Sequence, residues 1–407
     1  MKKGRDNKPH IGIFGRRNTG KSSFINALVG QEIAIVSNQP GTTTDPVKKS
    51  IEIFGIGPAI LIDTAGIDDI GELGTKRIEK SLEVLKIVDC AVLMVSENSF
   101  DEFEIKLIGS FAAYDIPYII VHNKADLYPI EPSTVEWIRK TTQAPVIDFS
   151  SLSPENLEKV IASLRETIPV SLFQKQPLLG DLIHHGDYVL LITPIDNEAP
   201  DGRMILPQVM AIRDVLDHDG INIVLKEDQV EAFFKSGAIT PKLAVTDSQV
   251  FSKMKGIVPE HVPFTSFSIL FARMRGDFNA YLEGTPTLDS LQDGDRILIL
   301  ESCTHQVNCD DIGRFKLPRW IQDHAGKKLE FDVVAGLDKV SRNMEDYKLV
   351  IQCGGCMVTR KQLMNRLKPA MHAQVAVTNY GLAIAWVTGI FDRVTEPFRK
   401  SLTIESQ

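Results

Sequence analysis

Apolar residues along this chain come in short, nearly continuous runs separated by amphipathic or polar stretches. Runs too short for helices and rich in Val, Ile and Leu read as strands buried on both faces of a parallel sheet. Such runs lie at 9–14, 59–62, 88–95, 118–122 and 146–149, and the segment 50–54 alternates. Residues 23–29 and 77–88 read as helices, and 68–76, polar and holding glycines, as a mobile loop. Near residue 170 the pattern restarts, after Pro169 and a polar linker at 174–177. Strand-like runs recur at 187–193, 221–225, 243–246 and 263–267, alternating with helical stretches at 208–217, 229–236 and 247–255. Two further strands are expected at 295–300 and 348–352. This alternation predicts an α/β fold with parallel sheets. A length of 407 residues predicts two or three domains. We expect three, at 1–172, 173–268 and 269–407.

Composition narrows the class. Charged residues make up 24% and hydrophobic ones 43%, as in soluble globular proteins. The net charge is −8 and neither half is basic, which argues against nucleic acid as the main partner. No apolar run reaches the ~18 residues of a spanning helix. The charged stretch 1–8 lacks the apolar core of a signal peptide. A cytoplasmic location without membrane association is expected. Five cysteines then read as metal ligands or core residues before disulfides. Cys90, inside an apolar run, reads as a core residue.

Residues 15–22 read G-x-x-x-x-G-K-S, between an expected strand and an expected helix. This pattern cradles phosphates. Gly15 and Gly20 let the backbone bring N–H groups onto phosphate oxygens. Lys21 can reach the outer phosphates, and the Ser22 hydroxyl can hold Mg²⁺. The hydroxyl-rich loop 39–46 can close over Mg²⁺ and the last phosphate. Asp63, at the end of the 59–62 run, stands where a Mg²⁺ ligand or its water-mediated partner belongs. The nearby Gly66 can offer its N–H to the last phosphate. Asn123-Lys124-Ala125-Asp126 is N-K-x-D: a carboxylate that accepts two N–H bonds selects guanine over adenine. Ser150-Ser151-Leu152 is expected as a loop touching the base.

These elements, in this order and each at a strand end, resemble the Ras-like P-loop GTPases, and within them the TrmE–Era–EngA group. The resemblance covers about residues 8–170. It implies GTP and Mg²⁺, bound along Gly15, Asn18, Thr19, Gly20, Lys21, Ser22 and Ser23. It also implies Thr43 as a Mg²⁺ ligand, with Thr44 open as the alternative. Hydrolysis would then draw on Asn18, Lys21, Thr43, Asp63 and Gly66. Ile67 stands where Ras-type enzymes place a water-positioning glutamine. Asn18 stands where potassium-dependent members carry an asparagine, so K⁺ is expected to neutralise charge developing on the phosphates.

The middle segment shows no catalytic constellation. His184 and His185 are adjacent and diverge, so they read as surface or capping residues. The C-terminal segment delivers Cys303, His305 and Cys309 after one strand, and Cys353-Gly354-Gly355-Cys356 after another. In a parallel sheet both ends reach the same edge, so the thiols can converge. Three thiolates suit an iron–sulfur cluster, a Cys₃His zinc site or, through C-x-x-C alone, a redox pair. The radical-SAM pattern C-x-x-x-C-x-x-C is absent.

A GTPase followed by C-x-H and a distant C-x-x-C resembles the FeFe-hydrogenase maturation GTPases, the HydF family, over the whole chain. That resemblance implies a Ras-like GTPase domain, a middle α/β dimerisation domain and a C-terminal α/β cluster-binding domain. It implies a homodimer carrying a 4Fe-4S cluster on Cys303, Cys353 and Cys356, with His305 or an exchangeable group as fourth ligand. The expected role is a carrier that passes a diiron precursor to FeFe-hydrogenase, with the radical-SAM maturases as partners. Gln352 stands where the family typically has histidine. Cys309 falls outside the motif. The alternative reading is an RNA- or ribosome-linked assembly GTPase with a structural zinc site.

Overall fold

The computed structural model describes residues 8–29, 37–38, 47–64, 83–169, 177–194, 204–302, 312–336, 338–355 and 358–402. These form two compact units, Met1–Lys175 and Gln176–Gln407.

The first unit is built on strands β1 (His10–Gly15), β2 (Ser37–Asn38), β3 (Val47–Ile53), β4 (Gly57–Asp63), β5 (Cys90–Ser96), β6 (Tyr118–Asn123) and β7 (Val146–Asp148). They lie in the order β2-β3-β4-β1-β5-β6-β7. All pairs are parallel except β2–β3 and β3–β4. The apolar runs face both ways, because helices cover both faces. Ile11 and Ile13 join a core with Phe24 of the helix Lys21–Val29, while Phe14 joins one with Phe111 of the helix Glu102–Ala113. Cys90 is buried in β5, as its apolar surroundings predict.

The second unit holds two four-stranded sheets. One contains β8 (Tyr188–Ile192), β9 (Ile221–Leu225), β10 (Leu243–Thr246) and β11 (Phe264–Ser266). The other contains β12 (Arg296–Leu300), β13 (Glu330–Val334), β14 (Leu349–Gln352) and β15 (Ala376–Asn379). Their orders are β11-β10-β8-β9 and β13-β12-β14-β15, and every pair is parallel. Both sheets therefore follow one topology: the second strand at an edge, then the first, the third and the fourth.

Local bonds repeat with the topology. Gly186 and Gly294, at φ +81° and +87°, turn the chain into β8 and β12. The following aspartates bond back alike: Asp187 Oδ2 accepts from His184 N and Asp295 Oδ2 from Gln292 N, each at 2.8 Å. Ser266 and Asn379 each cap the helix that follows the fourth strand. Those helices, Phe267–Arg275 and Tyr380–Val387, meet at Gly381, where an added Cβ would stand 2.9 Å from Ser268 Cβ. One core runs through both halves, from Leu178 to Phe398.

One element departs from its pattern. The helical stretch 247–255 is a 3₁₀ turn, Ser248–Val250, followed by the short helix Phe251–Met254. Asp247 caps this start by accepting from Gln249 N at 3.1 Å. His184 is a surface residue, its side chain 83% exposed beside Asp187. Among the described residues no helix is long and apolar enough to cross a membrane.

Candidate functional site

The G-x-x-x-x-G-K-S loop joins β1 to the helix Lys21–Val29. Gly15, Asn18 and Gly20 have φ of +146°, +59° and +87°. A Cβ at Gly15 would stand 2.4 Å from Met94 O, and one at Gly20 2.2 Å from Asn123 Nδ2. Both glycines are thus required by conformation and by close packing. Lys21, though charged, is 8% exposed, and its Nζ lies on Gly15 O at 3.0 Å and Arg16 O at 2.5 Å. Thr19 Oγ1 also donates to Arg16 O at 2.9 Å. Ser22 and Ser23, in the first helical turn, are exposed. A helix N-terminus beside a lysine fits a polyphosphate.

Parallel pairing sets Asp63 against Ile13, at the same edge as the loop. Ser22 Oγ donates to Asp63 Oδ2 at 2.9 Å. Burial pushes the Asp63 carboxyl above its usual value, and the bond from Ser22 pulls it back. A half-buried carboxylate facing a hydroxyl offers two hard oxygens, the donor type that fits Mg²⁺. Thr43, Thr44, Gly66 and Ile67, with the expected segments 39–46 and 68–76 and the first half of 77–88, lie outside the described residues.

The N-K-x-D segment is tied to the phosphate loop directly. Asn123 Nδ2 donates to Thr19 O at 2.9 Å, and Asn123 Oδ1 accepts from Ser151 N at 3.1 Å and Ser151 Oγ at 2.9 Å. Ser150 Oγ donates to Asp126 Oδ1 at 2.5 Å and so orients that exposed carboxylate. Lys124, at φ +65°, pairs with Glu97 at 2.8 Å. Leu152, 85% exposed, lies on the same base-side loop.

One contact was not expected from the motif. Arg16, at a variable position of the loop, forks onto Glu104, with Nε–Oε1 at 2.8 Å and Nη2–Oε2 at 2.9 Å, and reaches Asp101 at 2.5 Å. Glu104 is 1% exposed, so this pair anchors the loop to the helix Glu102–Ala113. Asp101 and Glu104 form that helix's capping box, and the D-x-x-E spacing is the signal that marks them.

At the C-terminal sheet, β12 and β14 are parallel neighbours with Leu300 paired to Gln352. Their ends share one edge, where Cys353 N donates to Leu300 O at 3.0 Å. Cys353 Sγ accepts from Ser302 N at 3.0 Å and lies 2.9 Å from Ser302 Oγ. Arg366 holds Glu301 O at 2.6 Å and Val334 O at 2.9 Å. Arg275, 3% exposed, donates to Gly355 O and Val358 O. Burial lowers the Arg366 pKa, and the charge of Cys353 acts against this. Burial, then the charge of Cys353, raises the pKa of Tyr281 and keeps the phenol protonated. Tyr281 Oη and Gln352 Oε1 are buried with no hydrogen-bond partner among the described residues. A thiol that accepts an N–H and whose charge acts on the half-buried Arg366 fits an anionic, thiolate-held group. Cys303, His305, Cys309 and Cys356 lie outside the described residues. Among the described residues no three His, Cys, Asp or Glu side chains gather as metal ligands.

The geometry of the first unit defines a P-loop GTPase domain, and residues 10–124 match the 50S ribosome-binding GTPase family. This part is 35% identical over 156 residues to the tRNA modification GTPase MnmE of Nitrosomonas europaea, covering 38% of this chain and 34% of that protein. It is also similar to GTPase Der of Wolinella succinogenes, 32% identical over 206 residues, covering 44% and 42%. The chain thus spans about a third of the length of the MnmE relatives it matches. Among solved structures it is similar to a variant of Aquifex aeolicus Era bound to GDP.AlF4-, at TM-score 0.35 and 18% identity, covering 53% of this chain and 92% of that one. The G domain of the T. maritima FeoB iron transporter gives 0.31 and 20%, covering 41% and 99%. The remaining residues decide the family. Residues 178–276 match the hydrogen maturase F dimerization domain, and residues 279–397 the hydrogen maturase F tetramerization domain. The chain belongs to the hydrogen maturase F family.

Asp126→Asn replaces an acceptor of guanine N–H bonds with an amide that carries a donor. We expect GTP affinity to fall on the order of 10- to 100-fold, the loss of about 1.5–3 kcal/mol for a charge-assisted bond, and xanthine nucleotide binding to rise. Titration with fluorescent nucleotides checks this; unchanged GTP affinity would show that Asp126 does not read the base.

Proposed function

We propose that the chain is a GTP-hydrolysing scaffold that binds a 4Fe-4S cluster and carries a diiron precursor to apo FeFe-hydrogenase, in the cytoplasm and together with radical-SAM maturases. The observation that carries this is the pairing of both hydrogen maturase F domains with a thiol, Cys353, at the edge shared by β12 and β14. We assign the cluster to Cys303, Cys353 and Cys356, with His305 or an exchangeable group as fourth ligand. When bound, the cluster supplies an iron site able to exchange ligands. The chain's own part is to hold the Cys353 sulfur by the Ser302 N–H, with Arg275 fixing the backbone at Gly355 and Arg366 the backbone at Glu301. Ser22, Thr43 and Asp63 are assigned to Mg²⁺, and Lys21 and Gly66 to the phosphates. The division into 1–172, 173–268 and 269–407 remains our proposal; the helix Phe267–Arg275 spans the second boundary. Membranes and nucleic acid are not among the proposed partners.

Self-association is supported by the contrast between two edge strands. On β9, Ile221 and Val224 are 42% and 41% exposed, and Leu206, Val209 and Leu216 of the adjoining helix Leu206–Asp217 are exposed too. On β13, Glu330 and Asp332 are charged and form ion pairs with Arg296 and Arg342. Charged edges resist pairing, whereas apolar ones invite it. A homodimer through β9 follows.

Three experiments test these readings. The full chain, reconstituted with iron and sulfide and then reduced, should show a 4Fe-4S EPR signal. The signal should vanish in the Cys303→Ala/Cys353→Ala/Cys356→Ala variant. A silent protein holding one zinc would favour the RNA- or ribosome-linked GTPase instead. Asn18, held at φ +59° in the phosphate loop, is assigned to K⁺. GTP hydrolysis should therefore run faster in KCl than in NaCl of equal ionic strength, and equal rates would remove that role. Light scattering should give a dimer for the native chain and a monomer for Ile221→Lys/Val224→Lys; an intact dimer would move the interface off β9.

A further inference from the structure

Gln352 stands at the position where sequence reasoning looks for a histidine ligand. Its side chain is 0% exposed, at the end of a strand. The amide does not turn outward. Nε2 lies 3.2 Å from Leu300 O, 3.3 Å from Ser302 Oγ, 3.2 Å from Cys353 O and 3.7 Å from Cys353 Sγ. Asn379 Nδ2 fixes the same residue from behind, donating to Gln352 O at 3.1 Å. Position 352 is thus buried beneath the strand ends and bonded to the neighbouring strand's end.

The donors converge on one sulfur. Ser302 N–H points at Cys353 Sγ over 3.0 Å. Ser302 Oγ lies 2.9 Å from the sulfur and accepts from the Gln352 amide. A hydroxyl oxygen that accepts an N–H keeps its own hydrogen for the next acceptor, and each bond polarises the next. A metal-bound thiolate has no S–H, so the Ser302 hydroxyl must then donate to it. The sister sheet supplies an internal comparison. Thr246 ends β10 as Gln352 ends β14, in the copy where Asp247 follows in place of Cys353. Thr246 Oγ1 is buried with no hydrogen-bond partner among the described residues. The relay belongs to the copy that carries the thiol.

We propose that Gln352 and Ser302 are positioning residues for the iron–sulfur group: they form a hydrogen-bond relay, Gln352 amide to Ser302 hydroxyl to Cys353 sulfur, that raises the group's reduction potential. Position 352 is a donor position and not a ligand position. The inference rests on the cluster reading given above. Donors to a sulfur ligand stabilise the added negative charge of the reduced state, so their loss favours the oxidised state.

The test uses the reconstituted full chain, with Gln352→Leu removing the amide and Ser302→Ala removing the hydroxyl while keeping the N–H. Iron content and the potential, followed by EPR-monitored titration, are measured for each. We expect iron content to be unchanged. The reduction equilibrium should shift about tenfold toward the oxidised form in each variant, ~59 mV for a one-electron couple. An unchanged potential in both variants overturns the relay. Loss of iron from a Gln352→Leu protein that still hydrolyses GTP also overturns it, because residue 352 would then hold the group itself. A native chain with no reducible cluster brings down the cluster reading, and this inference with it.

Discussion

Parallel strand pairing is the constraint on which both candidate sites depend. When neighbouring strands run the same way, all their carboxyl ends emerge at one edge, and chemistry spread along the sequence is gathered there. β1, β4, β6 and β7 deliver the phosphate loop, Asp63, Asn123 and the Ser150–Leu152 loop to one edge. The 2.2 Å clearance for a Cβ at Gly20 against Asn123 shows how tightly that edge is closed. β12 and β14 do the same for Ser302 and Cys353 across 51 residues of sequence. An antiparallel β14 would send Cys353 to the far side of the sheet.

The second unit uses one plan twice and spends the copies differently. A four-stranded parallel sheet has two usable features, its exposed edge strand and its carboxyl ends. In the first copy the edge, β9, carries uncovered Ile221 and Val224, while the ends carry Thr246, Asp247 and Ser266, which serve the fold. In the second copy the edge is closed by ion pairs to Glu330 and Asp332, and the ends carry Cys353 with its donors. The exposed apolar edge and the thiol thus fall on different sheets.

Much of this was legible in the sequence, for identifiable reasons. The G-x-x-x-x-G-K-S loop and Asn123–Asp126 could be read because phosphate and guanine dictate residue types at fixed spacing. The strand runs could be read because sheets covered on both faces need continuous apolar segments. That the ends of β12 and β14 share an edge followed from strand direction, whereas their being neighbours did not. Other features were hidden. β13 and β15 are short and mix polar with apolar residues, so no period marks them. The Arg16–Glu104 pair joins positions 88 apart, and no local pattern announces such a partner. The shared topology is hidden because it shows in backbone turns and caps, Gly186 with Gly294 and Ser266 with Asn379, more than in a repeated side-chain pattern.

The two edges also differ in the chemistry they can host. The nucleotide edge is made of hard donors, the Ser22 hydroxyl and the Asp63 carboxylate, whose raised pKa reflects a charge that burial leaves uncompensated. A small divalent cation relieves that cost. The thiol edge is built from different groups. Burial lowers the Arg366 pKa, Arg275 at the end of its helix donates to Gly355 O within the C-x-x-C segment, and burial keeps the Tyr281 phenol neutral. The charges of Cys353, Asp338 and Glu301 act against that burial at Arg366. One edge thus gathers hard oxygens and the other a thiol held by hydrogen-bond donors, and neither borrows groups suited to the other.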